Sequence, residues 1–251
     1  MTEKNLYGAV ILKAKDLLDI ISDSEEPLTL KEISSKMTIS KSTVLKILQT
    51  LEYCGLVRAT GVNKKYCLGT IFIKYGDQAV HSFNLEEVAM PFLNKLRDET
   101  TEAVNLGIVE NNKVVLLDRA KSTNNIRFDL VLGGTMNMYS SAMGKAILAC
   151  YSDKAINSYI DHTALVKMTK NTIISRDELL SEINIIRKQG YAIDNVENQD
   201  GIYCIGFALM KNEHIFGAFS ISAPLFRTNQ EKINDWIALG FQTQKQILDK
   251  L

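Results

Sequence analysis

Residues 29–53 constrain this chain more than any other stretch. They read as two short amphipathic helices that meet at a tight turn. Thr29 and Glu32 have capping-box spacing, so the threonine hydroxyl can satisfy the backbone N–H of Glu32. Ser40 fits as the N-cap of the second helix. Val44, Ile47, Leu48 and Leu51 then recur at i, i+3, i+4 and i+7, which defines one buried face. Lys41, Ser42, Thr43, Lys46, Gln49 and Thr50 are left outside. Lysine pairs with phosphate or guanine, and hydroxyls can donate to either. Gly55 stops the helix at a C′ position. A second helix that turns small polar and basic residues away from the core is the outline of a helix-turn-helix that reads DNA.

The next residues extend that outline. Leu56–Thr60 reads as a strand, Gly61–Lys65 as a turn and Tyr66–Leu68 as a returning strand, giving the winged arrangement. The bland alternative is a small helical subdomain with an ordinary hairpin and a solvated charge run. Charge distribution favours the wing. The chain has 29 basic and 29 acidic side chains, yet residues 28–70 carry Lys31, Lys36, Lys41, Lys46, Arg58, Lys64 and Lys65 against Glu32 and Glu52 alone, 7 − 2 = +5. A local basic face on a neutral chain suits an anionic partner, double-stranded DNA, without making the protein a nonspecific polycation. Ser40, Lys41, Ser42, Thr43 and Lys46 are therefore expected at the DNA, the helix residues in the major groove. Arg58, Lys64 and Lys65 are expected on backbone phosphates.

The rest of the pattern predicts one more helix in front, Leu6–Ser22, with Ile11, Leu12, Leu17, Leu18 and Ile21 inward. It also predicts a helical linker over 70–84 and a second domain over 85–251, leaving 1–69 as the DNA-binding domain. In the second domain Leu85–Thr100 is helical. Val104–Glu110 and Lys113–Ala120 are strands joined at Asn111-Asn112. Ile126–Leu132 is a third strand closed by Gly133-Gly134. Helices follow over Ser140–Tyr151 and Ser175–Gln189, then strands Tyr191–Ile193, Ile202–Met210 and Ile215–Ser222. Thr228–Leu251 closes the chain behind a Thr228/Glu231 capping box. Strand runs interleaved with helices and mostly joined by hairpins indicate an α+β domain around an antiparallel sheet.

Other classes are disfavoured. Cys54, Cys67, Cys150 and Cys204 form no CxxC, and His81, His162 and His214 do not cluster, so neither a metal site nor a disulfide framework nor a cofactor is expected. Reduced thiols in a cytoplasmic protein are the simpler reading. No run approaches 18 uninterrupted apolar residues, and Met1–Asn5 lacks the apolar stretch of a secretion signal.

Three C-terminal segments carry a family likeness. Met138-Tyr139-Ser140-Ser141-Ala142-Met143-Gly144-Lys145-Ala146 resembles the Leu-His-x-Thr-Ala-x-Gly-Lys-Ala signature of the IclR-type bacterial transcriptional regulators. Gly190–Glu197 followed by Gly201–Ile205 resembles that family's second signature, and Gly217–Pro224 its third. The resemblance implies a winged helix-turn-helix joined by a helix to a GAF-like effector domain. It implies a repressor or activator that binds small organic acids or aromatic compounds and works as a dimer or dimer of dimers. It also implies site residues: Ala142 and Met143 as backbone donors to a carboxylate, Asp194 and Cys204 on the second signature, Ser220 and Ser222 on the last strand, with Phe128 and Met136 as apolar walls. Physical chemistry is compatible with these roles. A helix start favours an anion, and residues i and i+2 of a strand share one face. Lys145 is expected in an ion pair or in solvent rather than on the ligand.

Some residues depart from the family pattern. Tyr139 replaces its His, Ser141 its Thr and Asn137 its Pro, and Gly206-Phe207-Ala208 stands where Ala-Ala-Pro is usual. The effector therefore cannot be copied from a relative. Two other readings remain at this stage: a ligand-independent DNA-binding oligomer, and an enzyme with Cys204 as nucleophile and Asp194 as orienter. No histidine lies in the same motifs to activate that thiol.

Overall fold

The computed structural model describes residues 8–61, 64–81, 84–125 and 130–251, leaving aside the side chains of 77, 79–81 and 84. The chain divides into two compact units, residues up to 82 and from 83 onward.

The N-terminal unit runs α1 (Ala9–Ser22), β1 (Leu28–Thr29), α2 (Leu30–Ser35), α3 (Lys41–Tyr53), β2 (Val57–Thr60), β3 (Lys65–Leu68) and α4 (Ile71–His81). Both halves of the Thr29/Glu32 capping box form: the Glu32 N–H donates to Thr29 Oγ1 at 3.3 Å, and the Thr29 N–H to Glu32 Oε2 at 2.7 Å. Ser40 caps α3 by accepting the Thr43 N–H at 3.2 Å. The apolar stripe of α3 enters a core with Leu17, Ile21, Ile33, Val57 and Tyr66. Side chains of this type are each worth about 1.5–3 kcal/mol when fully buried. The wing is a three-stranded antiparallel sheet in the order β1–β3–β2. Its short first strand, pairing Leu28 with Tyr66, is an addition to the expected hairpin. Gly69 returns the wing against the end of α3, where a Cβ would lie 1.8 Å from the Gly55 carbonyl oxygen, so a side chain has no room there.

Two expectations are corrected in this unit. Ile11 and Leu12 do not face inward; they are 69% and 48% exposed. Only the later part of α1, with Ala14, Leu17, Leu18 and Ile21, lies against the core. The wing turn is shorter than expected, because Lys65 already pairs in β3 while Lys64 takes a positive φ of 44°. Residues 6–7, given to the first helix, and 62–63, given to the turn, lie outside the described residues.

The C-terminal unit runs α5 (Asn84–Thr100), β4 (Ala103–Glu110), β5 (Lys113–Ala120), β6 (Thr135–Asn137), α6 (Ala142–Ala149), α7 (Asp153–Asp161), α8 (Arg176–Gln189), β7 (Ala192–Asn195), β8 (Ile202–Lys211), β9 (His214–Pro224), a 3-10 turn (Leu225–Arg227) and α9 (Gln230–Leu248). The six strands form one sheet in the order β6–β5–β4–β9–β8–β7, with every neighbour antiparallel. Asn111 and Asn112 make the β4–β5 hairpin with φ of 51° and 61°, the left-handed pair that a two-residue hairpin turn requires. Residues alternate along β8 and β9. Phe207 and Phe219 stack on the side of α9, whereas Ala208 and Ala218 join a core with α6, α7 and α8. Two glycines set α6 down on the sheet. A Cβ on Gly206 of β8 would lie 2.4 Å from the Ala142 carbonyl carbon, and one on Gly144 would lie 2.3 Å from the Met138 Cα.

The described end of the expected third strand is irregular. Residues 130–132 are not a strand, and pairing with β5 is made by Thr135–Asn137, beyond the two glycines; residues 126–129 lie outside the description. Val131 and Leu132 are 77% and 56% exposed, so their apolarity marks no buried strand. Helix α7 was not anticipated, and α6 is shorter than Ser140–Tyr151, starting after its Ser141 cap. The last helix is capped by Asn229, which accepts the Lys232 N–H at 2.9 Å; Thr228 turns back to the Leu225 carbonyl instead.

Candidate functional site

The two units present two different constellations. On the first, Lys41, Ser42 and Lys46 are exposed on α3, and Arg58, Lys64 and Lys65 are exposed on the wing. Arg58 Nε donates to the Leu68 carbonyl at 3.4 Å. Ser40 and Thr43 are less free. Their hydroxyls lie 2.8 Å apart within the α3 cap, and Thr43 is half-buried. The exposed face of α3 extends one residue beyond the set read from the sequence. Ser42, Lys46, Gln49 and Tyr53 follow at i, i+4, i+7 and i+11, a single exposed stripe along α3, and Tyr53 is 93% exposed. The apolar bulk of Tyr53 at the end of an amphipathic run hides its position on the outer face.

In the second unit, strand register assembles a polar floor. Asp194 of β7, Cys204 of β8 and Ser222 of β9 sit directly across from one another. The next row on the same face is Gly206, Ser220 and Asn105. Asn105 Nδ2 donates to Ser222 Oγ at 3.0 Å, and Ser222 Oγ donates to Cys204 Sγ at 3.1 Å. Ser220 Oγ lies 3.4 Å from Ser222 Oγ and makes no other side-chain bond among the described residues. Gly206 lets the start of α6 descend onto this floor. Ser141 caps that helix, donating to the Asn137 carbonyl at 2.7 Å and accepting the Gly144 N–H at 3.2 Å. Helix geometry leaves the Ala142 and Met143 N–H groups without an intrahelical acceptor.

Between floor and helix lies a cavity of about 40 Å³. It is lined by Met136, Ala142, Met143, Asp194, Cys204, Ser220 and Ser222, all singled out in the sequence. Phe128 lies outside the described residues. Asn105, Leu130, Ser141, Asn198, Gln199 and Ile202 complete the wall and were missed. Asn105 had a signal, as the one polar residue in the buried run from Ala103 to Ile108 apart from Gly107. The others depend on how the loops fold back.

The charges around the cavity are arranged tightly. Asp194 is 3% exposed, and its Oδ1 accepts the N–H groups of Glu197 at 2.7 Å and Asn198 at 3.2 Å. Burial pushes its carboxyl up to about 7. The two N–H groups and Lys145 pull against that rise, and the Glu197 charge adds to it. Burial also pushes up Glu197, opposed chiefly by Lys145. Lys145 is fully buried, with Nζ 2.6 Å from Glu197 Oε1 and 3.2 Å from Glu182 Oε1, so it is ion-paired rather than solvated and does not line the cavity. Burial, followed by the Asp194 charge, holds the Cys204 thiol far above its ordinary range and therefore protonated. No group of three or more His, Cys, Asp or Glu suited to a metal occurs among the described residues.

An exposed basic winged helix in one unit and a partly open cavity over a polar floor in the other define a ligand-responsive DNA-binding regulator. Comparison with known proteins makes the assignment specific. The description "IclR helix-turn-helix domain" matches residues 10–61, and "Bacterial transcriptional regulator IclR C-terminal" matches residues 77–247. The chain belongs to the IclR family of bacterial transcriptional regulators. It is 32% identical over 218 residues to the DNA-binding transcriptional repressor YiaJ of Escherichia coli, covering 85% of this chain and 77% of that one. The crystal structure of Thermotoga maritima IclR superposes with a TM-score of 0.82 at 30% identity, over 98% of this chain and 99% of that one. An IclR homologue from Microbacterium hydrocarbonoxydans complexed with 4-hydroxybenzoate shares the fold, with a TM-score of 0.81 at 16% identity, over 96% of this chain and 99% of that one.

Proposed function

We propose that this protein is a cytoplasmic repressor whose grip on its operator is set by a small aliphatic carboxylic acid bound in the C-terminal cavity. Residues 1–69 would hold the DNA, 70–84 would link, and 85–251 would bind the effector and a second copy of the chain, as a dimer or dimer of dimers on a near-palindromic site. The observation that carries this reading is the convergence of the Ala142 and Met143 N–H groups with Ser220 and Ser222 on one cavity. Helix N–H groups and hydroxyls recognise a carboxylate without a cationic side chain. Size selects within the acids. A water needs roughly 10–15 Å³ of such space, so about 40 Å³ suits a ligand of a few heavy atoms.

The protein is read as a binder rather than an enzyme. Its one cavity thiol is held protonated, and no histidine is among the lining residues. Control by the effector requires it to prefer one arrangement of the DNA-binding units, typically by about 1–3 kcal/mol. The test is a thermal-shift and calorimetric screen of two- to four-carbon carboxylic acids, with benzoates alongside, run in parallel with an operator-shift assay. An aliphatic acid should bind and weaken operator retention. Binding with no change at the operator would contradict regulation, and turnover of a bound acid would restore the enzyme reading.

A further inference from the structure

Among the described residues that line the cavity, the one ionisable carboxyl belongs to Asp194, and none is a lysine, arginine or histidine. Lys145, whose charge acts on Asp194, is committed to Glu197 and Glu182. Asp194 itself is asymmetric. Oδ1 is filled by two backbone N–H groups, while Oδ2 has no hydrogen-bond partner among the described residues although the side chain is almost fully buried against the cavity. A ligand carboxylate placed in so small a space stands close to that oxygen. Two ionised carboxylates at such range repel, and no cation among the described lining residues screens them.

We propose that the cavity takes up its carboxylate effector together with one proton, held in a hydrogen bond between Asp194 Oδ2 and the ligand. The inference rests on the effector reading above. The proton comes from solvent, and no covalent bond forms or breaks. Oδ1 stays on the Glu197 and Asn198 N–H groups, so the proton has one place to sit, facing the ligand.

The surroundings agree with that placement. From β8 Asp194 faces the Cys204 thiol, which accepts the Ser222 hydroxyl of β9, and from its own loop Glu197. From α6 it feels Lys145, whose second partner Glu182 lies on α8. Burial, the largest influence, places the free carboxyl at about 7. A ligand that requires the protonated form then binds with constant affinity below that pH and loses roughly tenfold per unit above it. Effector response would therefore be linked to cytoplasmic pH.

The experiment is calorimetric titration of the full chain with acetate, glyoxylate, pyruvate and lactate, in buffers of differing ionisation enthalpy, between pH 6 and 9. Asp194→Asn is run beside the wild type, because its amide donates a hydrogen bond at every pH. Uptake of about one proton near pH 8 in the wild type, with none and a flat pH profile in Asp194→Asn, supports the proposal. Binding without proton uptake, or an unchanged pH slope in Asp194→Asn, overturns it and leaves the effector reading standing. Failure of all four acids to bind the wild type removes both. If Asp194→Asn alone fails to bind, carboxyl ¹³C NMR of the wild type decides. Titration of Asp194 near 7 supports the proposal, and titration in the ordinary aspartate range overturns it.

Discussion

The two units solve recognition in opposite ways. On the winged helix, Lys41, Ser42, Lys46, Lys64 and Lys65 are exposed side chains on a scaffold whose core is made by other residues. In the C-terminal unit, Asp194, Ser220 and Asn105 are themselves buried, and Lys145, one turn into the helix that tops the cavity, is fully sequestered. The first surface can change its contacts at little cost to folding. The second has less freedom, because Asn105, Ser222, Cys204 and the Lys145–Glu197 pair satisfy one another. Binding specificity in the first unit is separable from stability, and in the second the two are entangled.

Substitutions can break that contrast. The largest effect should come from Lys145→Met, which strands Glu197 and Glu182 without their cation. Removing one partner of a buried pair costs about 3–5 kcal/mol, read as a lower denaturation midpoint. Lys46→Met on the exposed face of α3 should stay within about 0.5 kcal/mol of wild type. Equal losses from the two would erase the distinction. Next comes Gly206→Ala, whose Cβ would press on the backbone of Ala142. Overpacking of this kind costs about 1–3 kcal/mol, and effector affinity should fall with it because the start of α6 is displaced. An effector affinity equal to wild type would show that α6 does not form the site. The smallest stability effect belongs to Lys64→Ala with Lys65→Ala. Folding should be untouched, while the dependence of operator binding on salt flattens by about one to two ions for all sequences alike. An unchanged slope would remove the wing from the DNA interface.

The same contrast explains what was legible in the sequence. The winged helix is local. Its caps, its i, i+3, i+4 stripe and its glycine stop all lie within a few residues, so Thr29, Ser40 and Val44–Leu51 could be placed from spacing alone. The cavity is not local. Asp194, Cys204 and Ser222 meet through strand register, and Asn105 reaches Ser222 across 117 positions of chain. Periodicity says that Ser220 and Ser222 share a face; it does not say what faces them. The family signatures supplied that step for the residues inside them and were silent on Asn105. Val131 and Leu132 read as strand because exposed apolar residues imitate buried ones, and the inward set on α1 is too long because the core meets only its later turns. Both are cases in which the tertiary surroundings, not the pattern, decide burial.

The central claim is that effector binding resides in the cavity between α6 and the floor of β7, β8, β9 and β4, apart from the DNA-reading surface. Ser220→Ala tests it most directly. Ser222 is a poorer choice, because its hydroxyl also satisfies the buried Asn105 amide, and its loss would leave that donor unpaired. Among the described residues the Ser220 hydroxyl has just the 3.4 Å contact to Ser222, and it lines the cavity. A hydrogen bond to a charged ligand is worth about 1.5–3 kcal/mol. Calorimetric titration of Ser220→Ala with the carboxylic acid that binds the wild type should therefore show affinity reduced by about tenfold or more, with operator binding in the absence of the acid unchanged. Full effector affinity in this variant, or loss of operator binding along with it, would contradict the account.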